Sequence, residues 1–216
     1  AISYNKEYWK AGGFCQLWKK PLIALFDKLI FKAVRQGMGG RMKFFVGGGA
    51  LLDIELQRYY NAIGIPMFQG YGLSEATPII CANAPGHAIF GSSGRIVSPL
   101  ELKICDSEGN EVPDGQRGEI VIKGENVMAG YWKNHVSTAN TVIDGWLHTG
   151  DMGYVLREKH PGFLWVVGRF KSLLIGADGE KYSPEGFEDG LPDGSKYVDN
   201  VILHNDQNPY TMALIE

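Results

Sequence analysis

The chain has 216 residues, of which 44% are apolar and 21% are charged, and its formal net charge is −3. This length suits one large domain or a domain with an added lobe, and the apolar share is sufficient for a packed core. The small negative charge gives no indication of a nucleic-acid-binding surface. Cys15, Cys81 and Cys105 are few and widely spaced, which argues against a disulfide framework and favours a reducing, cytoplasmic compartment.

The hydropathy pattern gives no sign of a membrane span. The longest apolar stretch, PLIALFDKLIFKAV, is interrupted by Asp27, Lys28 and Lys32, whereas a spanning helix needs about 20 predominantly apolar residues. The first ten residues also lack the apolar centre of a signal peptide. We therefore predict no transmembrane segment, and peripheral membrane contact is left open.

The first ninety residues combine helical and strand patterns. Apolar side chains at helical spacing predict an amphipathic helix over residues 14–38, interrupted near Pro21. MKFFV (42–46) predicts a short buried strand, ALLDIELQRYYNAI (50–63) a helix, and IPMFQGYG (65–72) a second strand that enters a loop. Strand, glycine turn, helix and strand together make one β-α-β unit.

From about residue 90 the pattern changes to short β-rich runs. They are separated by turn signals such as Ser-Pro, Glu-Gly-Asn and Pro-Asp-Gly, a spacing typical of antiparallel strands in a small barrel or sandwich. GFLWVVGRF (162–170) predicts another strand, and a domain boundary is expected near Arg169–Lys171. The following residues predict a strand, a glycine-rich turn, a helix start and two final strands.

GGGALL is the first motif with a chemical interpretation. Gly47, Gly48, Gly49 and Ala50 follow a predicted strand, and a backbone without side chains lets another group lie flat against it. The functional interpretation is one wall of a nucleotide site. The structural alternative is a tight strand-to-helix turn, and glycine strings alone do not separate the two.

FQGYGLSEAT is the more specific motif. Tyr71 offers an aromatic face for stacking a base, and Gly72 lets that base approach. Ser74 offers a hydroxyl to a phosphate, and Glu75 offers a hard oxygen ligand for Mg²⁺. The alternative is a helix start, in which Ser74 is the N-cap and Glu75 lies in the first turn.

Three further stretches contain charged candidates. In DGWLHTGD, Asp151 could accept both hydroxyls of a ribose, although a lone Gly-Asp pair is more often a turn, and His148 is taken as a packed or surface histidine. In GRFKS, the planar fork of Arg169 suits ribose or phosphate oxygens. The third stretch, GEKYSP, contains Lys181. Without further context Arg169, Lys171 and Lys181 would be solvated surface residues.

The order of these motifs resembles the adenylate-forming enzyme superfamily. A glycine turn, YGLSEAT, a β-rich segment with GENVMAGYW, HTGD, GRFKS and GEKYSP follow one another over nearly the whole chain. Residues 1–40 are the least diagnostic. GENVMAGYWKN and RMKFFVGGGALL make the chain most similar to the long-chain fatty acyl-CoA synthetases.

The resemblance implies a fold and a reaction. The expected fold class is α/β plus β-barrel: the end of an α/β subdomain (1–90), a small antiparallel β-barrel subdomain (91–169) and the start of a small α+β C-terminal lobe (170–216). Such enzymes use ATP and Mg²⁺ to convert a fatty acid into an acyl-adenylate with release of pyrophosphate. Coenzyme A then takes the acyl group and AMP leaves.

The resemblance also implies roles for individual residues. Tyr71 would stack on adenine, in a pocket lined by Gly47, Gly48, Gly49, Ala50, Gly70 and Gly72. Ser74 and Glu75 would be catalytic, contacting phosphate and Mg²⁺ respectively, while Asp151 and Arg169 would hold the ribose. Lys171 matches the hinge position of the family, and Gly179 and Lys181 would approach the pantetheine arm of coenzyme A.

Some family features are missing from the sequence. The Ser/Thr/Gly-rich phosphate loop and the lysine near the C-terminus are absent, and Gly186 stands where an acidic residue is usual. The chain also starts in a helix-like stretch and stops in the strand-like TMALIE. We therefore expect a C-terminal-half fragment of a longer enzyme that has no ligase activity by itself.

Four other functions stay open at this point. A non-catalytic nucleotide-binding module would use the pocket only for sensing, but Glu75 argues against it because a sensor needs no metal at the α-phosphate. A β-rich interaction domain would carry the glycine turns by chance. Within the superfamily, the alternatives are a peptide-synthetase adenylation domain and an aryl-CoA ligase.

Overall fold

The computed structural model describes residues 24–169, 174–176, 181–182 and 184–216. Two compact units are recognised along the chain: residues 1–98 with 162–165, and residues 99–161 with 166–216. The predicted hinge at Lys171 and the predicted pantetheine contact at Gly179 lie outside the described residues, as does the side chain of Lys181. The predicted domain division at 90 and 169 stays a prediction.

The predicted N-terminal helix is present where the structure describes it. A π-helical turn, Asp27–Phe31, continues into α1 (Lys32–Gly37). Both guanidinium NH₂ groups of Arg35 donate to the Asp27 carboxylate over 2.8 Å, and one of them also donates to the Ile63 carbonyl over 2.7 Å. Phe31 is buried, so the helix is joined to its unit by one aromatic side chain and by the Arg35–Ile63 hydrogen bond.

The β-α-β unit is confirmed. Strands β1 (Phe45–Gly47) and β2 (Met67–Gly72) are parallel neighbours, and α2 (Ile54–Ala62) lies between them in sequence. The helix begins later than the predicted residue 50 because Asp53 is its N-cap: the Asp53 carboxylate accepts a hydrogen bond from the Leu56 N–H over 2.7 Å. Residues 48–53 therefore form a loop at the carboxyl end of β1.

The first unit continues as an antiparallel sheet. Its strand order is β1-β2-β3-β4-β9, with β3 at Ile79–Ala82, β4 at Gly94–Ile96 and β9 at Phe163–Arg169. Its core contains the fully buried side chains of Ile63, Ile65, Ile80 and Leu164. The unit is therefore a mixed sheet, parallel at β1 and β2 and antiparallel beyond them.

The second unit contains an antiparallel meander. Its strand order is β9-β8-β6-β5, with β5 at Glu101–Cys105, β6 at Gly118–Lys123 and β8 at Trp146–Val155. A short strand, β7 (Val142–Ile143), also pairs with β8 and directly follows α3 (His135–Thr141). The predicted antiparallel strands are confirmed. Within the described residues they form an open path, whereas a barrel requires its end strands to pair, so the predicted barrel is unconfirmed.

The C-terminal part has the expected α+β character. Its elements are β10 (Leu174–Gly176), β11 (Lys181–Tyr182), α4 (Glu185–Asp193), β12 (Val201–His204), β13 (Asp206–Asn208) and β14 (Met212–Ile215). The helix begins at Glu185 although Gly186 departs from the family pattern. The Glu188 carboxylate accepts a hydrogen bond from the Leu203 N–H over 2.7 Å, which links α4 to β12. None of the described helices is long and apolar enough to cross a bilayer.

Candidate active site

The glycine turn after β1 presents a bare backbone. A Cβ at Gly47 would lie 4.0 Å from a Leu52 methyl group, and one at Gly48 would lie 3.5 Å from the Gly70 carbonyl oxygen, both ordinary contacts. Gly49 differs because its φ of +89° favours glycine. Internal packing therefore does not require glycine at Gly47 and Gly48, and their open backbone is available to a ligand.

A buried glutamine that sequence reasoning missed holds this turn. Gln69 in β2 is only 5% exposed. Its amide oxygen accepts from the Leu52 N–H over 2.7 Å, and its amide nitrogen donates to the Ala50 carbonyl over 2.7 Å. The available signal was a glutamine within the otherwise apolar and glycine-rich strand MFQGYG. Gln69 closes the turn from the neighbouring strand.

Replacing Gln69 with leucine is expected to lower the free energy of unfolding by about 1–3 kcal/mol, because two part-buried hydrogen bonds to the backbone are lost. Thermal and urea unfolding of the full-length protein measure this. Gln36→Leu on the exposed surface of α1 is the matched control, expected within about 0.5 kcal/mol of the parent. Equal effects of the two substitutions would contradict the role given to Gln69.

The YGLSE segment forms a short turn rather than a helix start capped by serine. Strand β2 ends at Gly72, and Ser74–Ala76 make a single 3₁₀ turn whose N-cap is Leu73, with no side-chain cap. The alternative interpretation of Ser74 as an N-cap is therefore wrong, since Ser74 is already the first residue of the turn. Ser74 is exposed, while Tyr71 and Glu75 are half-buried.

This segment folds tightly back on itself. A Cβ at Gly72 would overlap the Pro78 carbonyl, so local packing alone requires glycine there. Thr77 has φ 44° and ψ 71°, the left-handed region, which is rarely adopted by a β-branched residue. Such conformations cost about 1–3 kcal/mol and concentrate at functional sites. The strain is consistent with a segment shaped for a ligand.

In the second unit the structure brings Asp151 and Arg169 together. Asp151 is 7% exposed, and one of its carboxylate oxygens lies 3.6 Å from Nε of Arg169. The Arg169 side chain is 68% exposed, so its guanidinium can be reached from solvent. The two residues predicted to hold a ribose form one charged pair with an accessible cation.

A bulge in β8 presents Asp151. Glu119 pairs with Met152 and Val121 pairs with His148, so residues 149–151 stand opposite a single residue of β6. Bulges bend a strand and re-aim its side chains, and they are over-represented next to active sites. The position of Asp151 is therefore set by an irregular piece of backbone.

The bulge is joined to β6 by a threonine. Thr149 Oγ1 donates to the Ile120 carbonyl over 2.7 Å and accepts from the Asp151 N–H over 3.1 Å. Gly150 has a φ of +71°, which favours glycine. These features fix the backbone on the N-terminal side of Asp151.

The described residues contain no cluster of three or more His, Cys, Asp or Glu side chains suited to a metal. Mg²⁺ in nucleotide enzymes is commonly held by one or two carboxylates together with substrate phosphates. A single half-buried carboxylate at Glu75 fits that arrangement, in which the metal arrives with the nucleotide.

A separate groove of about 510 Å³ lies in the first unit. Its lining includes Asn61, Met67, Phe68, Pro85, Ile89 and Phe90. None of the residues predicted to bind nucleotide lines it. The groove is therefore not the predicted nucleotide site.

Comparison with known proteins places the chain in a family. Residues 20–132, just over half of the chain, match the family described as AMP-binding enzyme. The chain belongs to the AMP-binding enzyme family. This confirms the resemblance inferred from the order of the motifs, and it covers the glycine turn, Tyr71, Ser74 and Glu75.

Individual AMP-binding enzymes resemble the chain over most of its length. It is 32% identical over 192 residues to the long-chain-fatty-acid–CoA ligase FadD15 of Mycobacterium bovis, covering 89% of the chain and 30% of that protein. It is 42% identical over 152 residues to the 2-succinylbenzoate–CoA ligase of Bacillus cytotoxicus, covering 68% of the chain and 30% of that protein. The chain thus spans about 30% of the length of these relatives.

A solved structure supports the fold of this AMP-binding enzyme. The O-succinylbenzoate coenzyme A synthetase of Bacillus subtilis, solved with ATP and a magnesium ion, is 27% identical with a TM-score of 0.68. The match covers 85% of the chain and 40% of that protein. The α/β fold class is therefore shared with adenylate-forming ligases.

Proposed function

We propose that the chain is part of an ATP-dependent acyl-CoA ligase that adenylates a fatty acid and transfers the acyl group to coenzyme A. The observation that carries the proposal is the strained segment from Tyr71 to Thr77, which begins at the end of β2 beside the bare Gly47–Gly49 turn. The membership of the family adds to it. The same proposal places the protein in the cytoplasm.

Tyr71 and the glycine turn would hold the adenine. Gly48 faces the Gly70 carbonyl at contact distance, so the glycine turn and the end of β2 form one side-chain-free surface. The half-buried ring of Tyr71 lies at the end of that strand. A flat base can stack on such a ring while its edge contacts exposed backbone. Ala50 would complete the same wall.

Asp151 and Arg169 would hold the ribose. The Asp151 carboxylate accepts hydrogen bonds, and two vicinal hydroxyl groups can donate to it. The exposed guanidinium of Arg169 can donate hydrogen bonds to oxygen atoms, and its Nε lies 3.6 Å from the Asp151 carboxylate. Together these residues would orient the nucleotide by its sugar.

The chemical step would involve Ser74 and Glu75. The substrate carboxylate attacks the α-phosphorus and pyrophosphate leaves; the coenzyme A thiolate then attacks the acyl carbonyl and AMP leaves. Mg²⁺, when bound, supplies positive charge that offsets the phosphate oxygens. Glu75 would hold that ion, and the exposed hydroxyl of Ser74 would donate to a phosphate oxygen. Motion at Lys171, and contacts of Gly179 and Lys181 with the pantetheine arm, stay predictions.

The substrate class is the finer part of the proposal. The match to the long-chain ligase covers more of the chain, but the match to the succinylbenzoate ligase has the higher identity. We favour long-chain fatty acids because GENVMAGYWKN and RMKFFVGGGALL resemble the long-chain fatty acyl-CoA synthetases. An aryl-CoA ligase is the alternative.

The test uses the full-length protein with MgATP, coenzyme A and a set of carboxylates. We expect pyrophosphate release and thioester formation with long-chain fatty acids, at least tenfold faster than with aryl acids at equal concentration. Preference for an aryl acid would support the proposed ligase activity but contradict the proposed fatty-acid substrate. Nucleotide binding without pyrophosphate release from any carboxylate would indicate the non-catalytic module instead.

A further inference from the structure

A buried carboxylate lies behind the Asp151 bulge. The side chain of Glu119, on β6, is only 14% exposed, and no motif identified in the sequence contains it. Burial of a carboxylate is costly unless hydrogen bonds compensate for the lost water. Glu119 has such compensation from two residues of the bulge, which is unusual for a residue that only completes a sheet.

Both carboxylate oxygens of Glu119 are engaged on one side. Oε1 accepts a hydrogen bond from the Gly150 N–H over 3.0 Å, and Oε2 lies 2.9 Å from Nδ1 of His148. His148, taken from the sequence as a packed or surface residue, is therefore bound to the opposite strand.

The Gly150 contact bears directly on Asp151. Gly150 has no atom within 4 Å of the position where a Cβ would be, so no side-chain packing at that point holds its left-handed conformation. The hydrogen bond to Glu119 reaches the residue immediately before Asp151. Loss of that bond would free the Thr149–Gly150 peptide and leave the hydrogen bonds of Thr149 Oγ1 to hold the backbone before Asp151.

We infer that Glu119 is a positioning residue for ribose recognition, acting through Gly150 and His148 on the Asp151 carboxylate. The inference rests on the proposed role of Asp151 in binding a ribose. The competing explanation is that Glu119 only stabilises the β6–β8 pairing, in which case its loss would weaken all nucleotides equally.

The test compares AMP with 2′,3′-dideoxy-AMP on the full-length protein. Dissociation constants are measured by titration calorimetry for the parent and for Glu119→Met and Glu119→Gln. Methionine keeps the length of the side chain without a strong acceptor, whereas glutamine keeps an oxygen for the Gly150 N–H. Glu101→Met, at an exposed position at the start of β5, is the matched control.

We expect the parent and the Glu101→Met variant to prefer AMP by about tenfold or more, since hydrogen bonds to charged groups have this order of strength. In Glu119→Met the preference should fall to about threefold or less, because of weaker AMP binding, while dideoxy-AMP binding is unchanged. Glu119→Gln should retain most of the preference. The effect of removing the ribose hydroxyls would then depend on residue 119, and such coupling is expected when Glu119 acts through Asp151.

Each other outcome overturns the inference in an identifiable way. Equal binding of both nucleotides by the parent protein would contradict the ribose-binding role of Asp151, and the role inferred for Glu119 would fail with it. In a second outcome the parent prefers AMP and the Glu119→Met variant keeps the same preference, either with unchanged affinities or with both affinities weakened equally. Asp151 would then stay in the ribose site, and Glu119 would be a purely structural residue. If Glu119→Met does not fold, Glu119→Ala, which leaves room for water at Gly150, takes its place with the same expectations.

Discussion

Replacing Glu75 with glutamine in the full-length enzyme is expected to slow pyrophosphate release at saturating ATP by roughly 100-fold or more. The amide keeps the shape of the side chain but loses the charge that is proposed to hold Mg²⁺. Removing one group that stabilises developing charge in a transition state costs about 2.7–4 kcal/mol in other enzymes. The affinity for ATP should change much less, because we propose that other residues hold the adenine and the ribose.

Glu55→Gln is the matched control for this experiment. Glu55 lies in the first turn of α2 and forms an exposed ion pair with Arg58 at 2.6 Å, a kind of pair that contributes little. Its substitution should leave the rate within about twofold of the parent. A parent-like rate in Glu75→Gln would remove Glu75 from the site, and equal losses in ATP affinity and rate would make it a general binding residue.

The largest effect on stability is expected from Gly94→Ala. Gly94 has a φ of +111°, and a Cβ there would overlap the backbone of Ala82 and the amide nitrogen of Asn83. Neither can shift without breaking the β3–β4 pairing, which includes the Ala82–Arg95 register. Backbone strain and overpacking each cost about 1–3 kcal/mol, so a loss of about 3–5 kcal/mol is expected.

Gly86→Ala separates the two contributions. Gly86 has a φ of +78° in the same unit, but no atom lies within 4 Å of its added Cβ. Its substitution should therefore cost only the strain, about 1–2 kcal/mol. Thermal unfolding and the yield of folded full-length protein measure both variants. A Gly94→Ala variant no less stable than Gly86→Ala would contradict the close approach of the two strands.

Local patterns in the sequence predict most elements of this chain. The β-α-β unit, the antiparallel strands after residue 90 and the final strand pair follow from periodicity and turn residues. Element boundaries were less accurate: α2 begins at Ile54 rather than residue 50 because Asp53 caps it. Cap choice depends on backbone geometry that periodicity does not contain.

The candidate site divides in the same way. Short motifs were sufficient to select the residues whose type has its own chemistry: Gly47–Ala50, Gly70–Gly72, Ser74, Glu75, Asp151 and Arg169. Gln69 and Glu119 were not, because their importance comes from partners 17 and 31 residues away. Such pairs become recognisable only when the strands are in register.

The sequence by itself determined the order of the motifs, the alternation of helix and strand, and through them the family. Those properties depend on residue type and on neighbours within one or two turns of chain. Only the tertiary structure decided that Ser74 starts a 3₁₀ turn, that β6–β8 contain a bulge, and that Asp151 lies beside Arg169. The bulge and the Asp151–Arg169 pair follow from strand pairing between distant segments, where one unpaired residue more or less redirects a side chain.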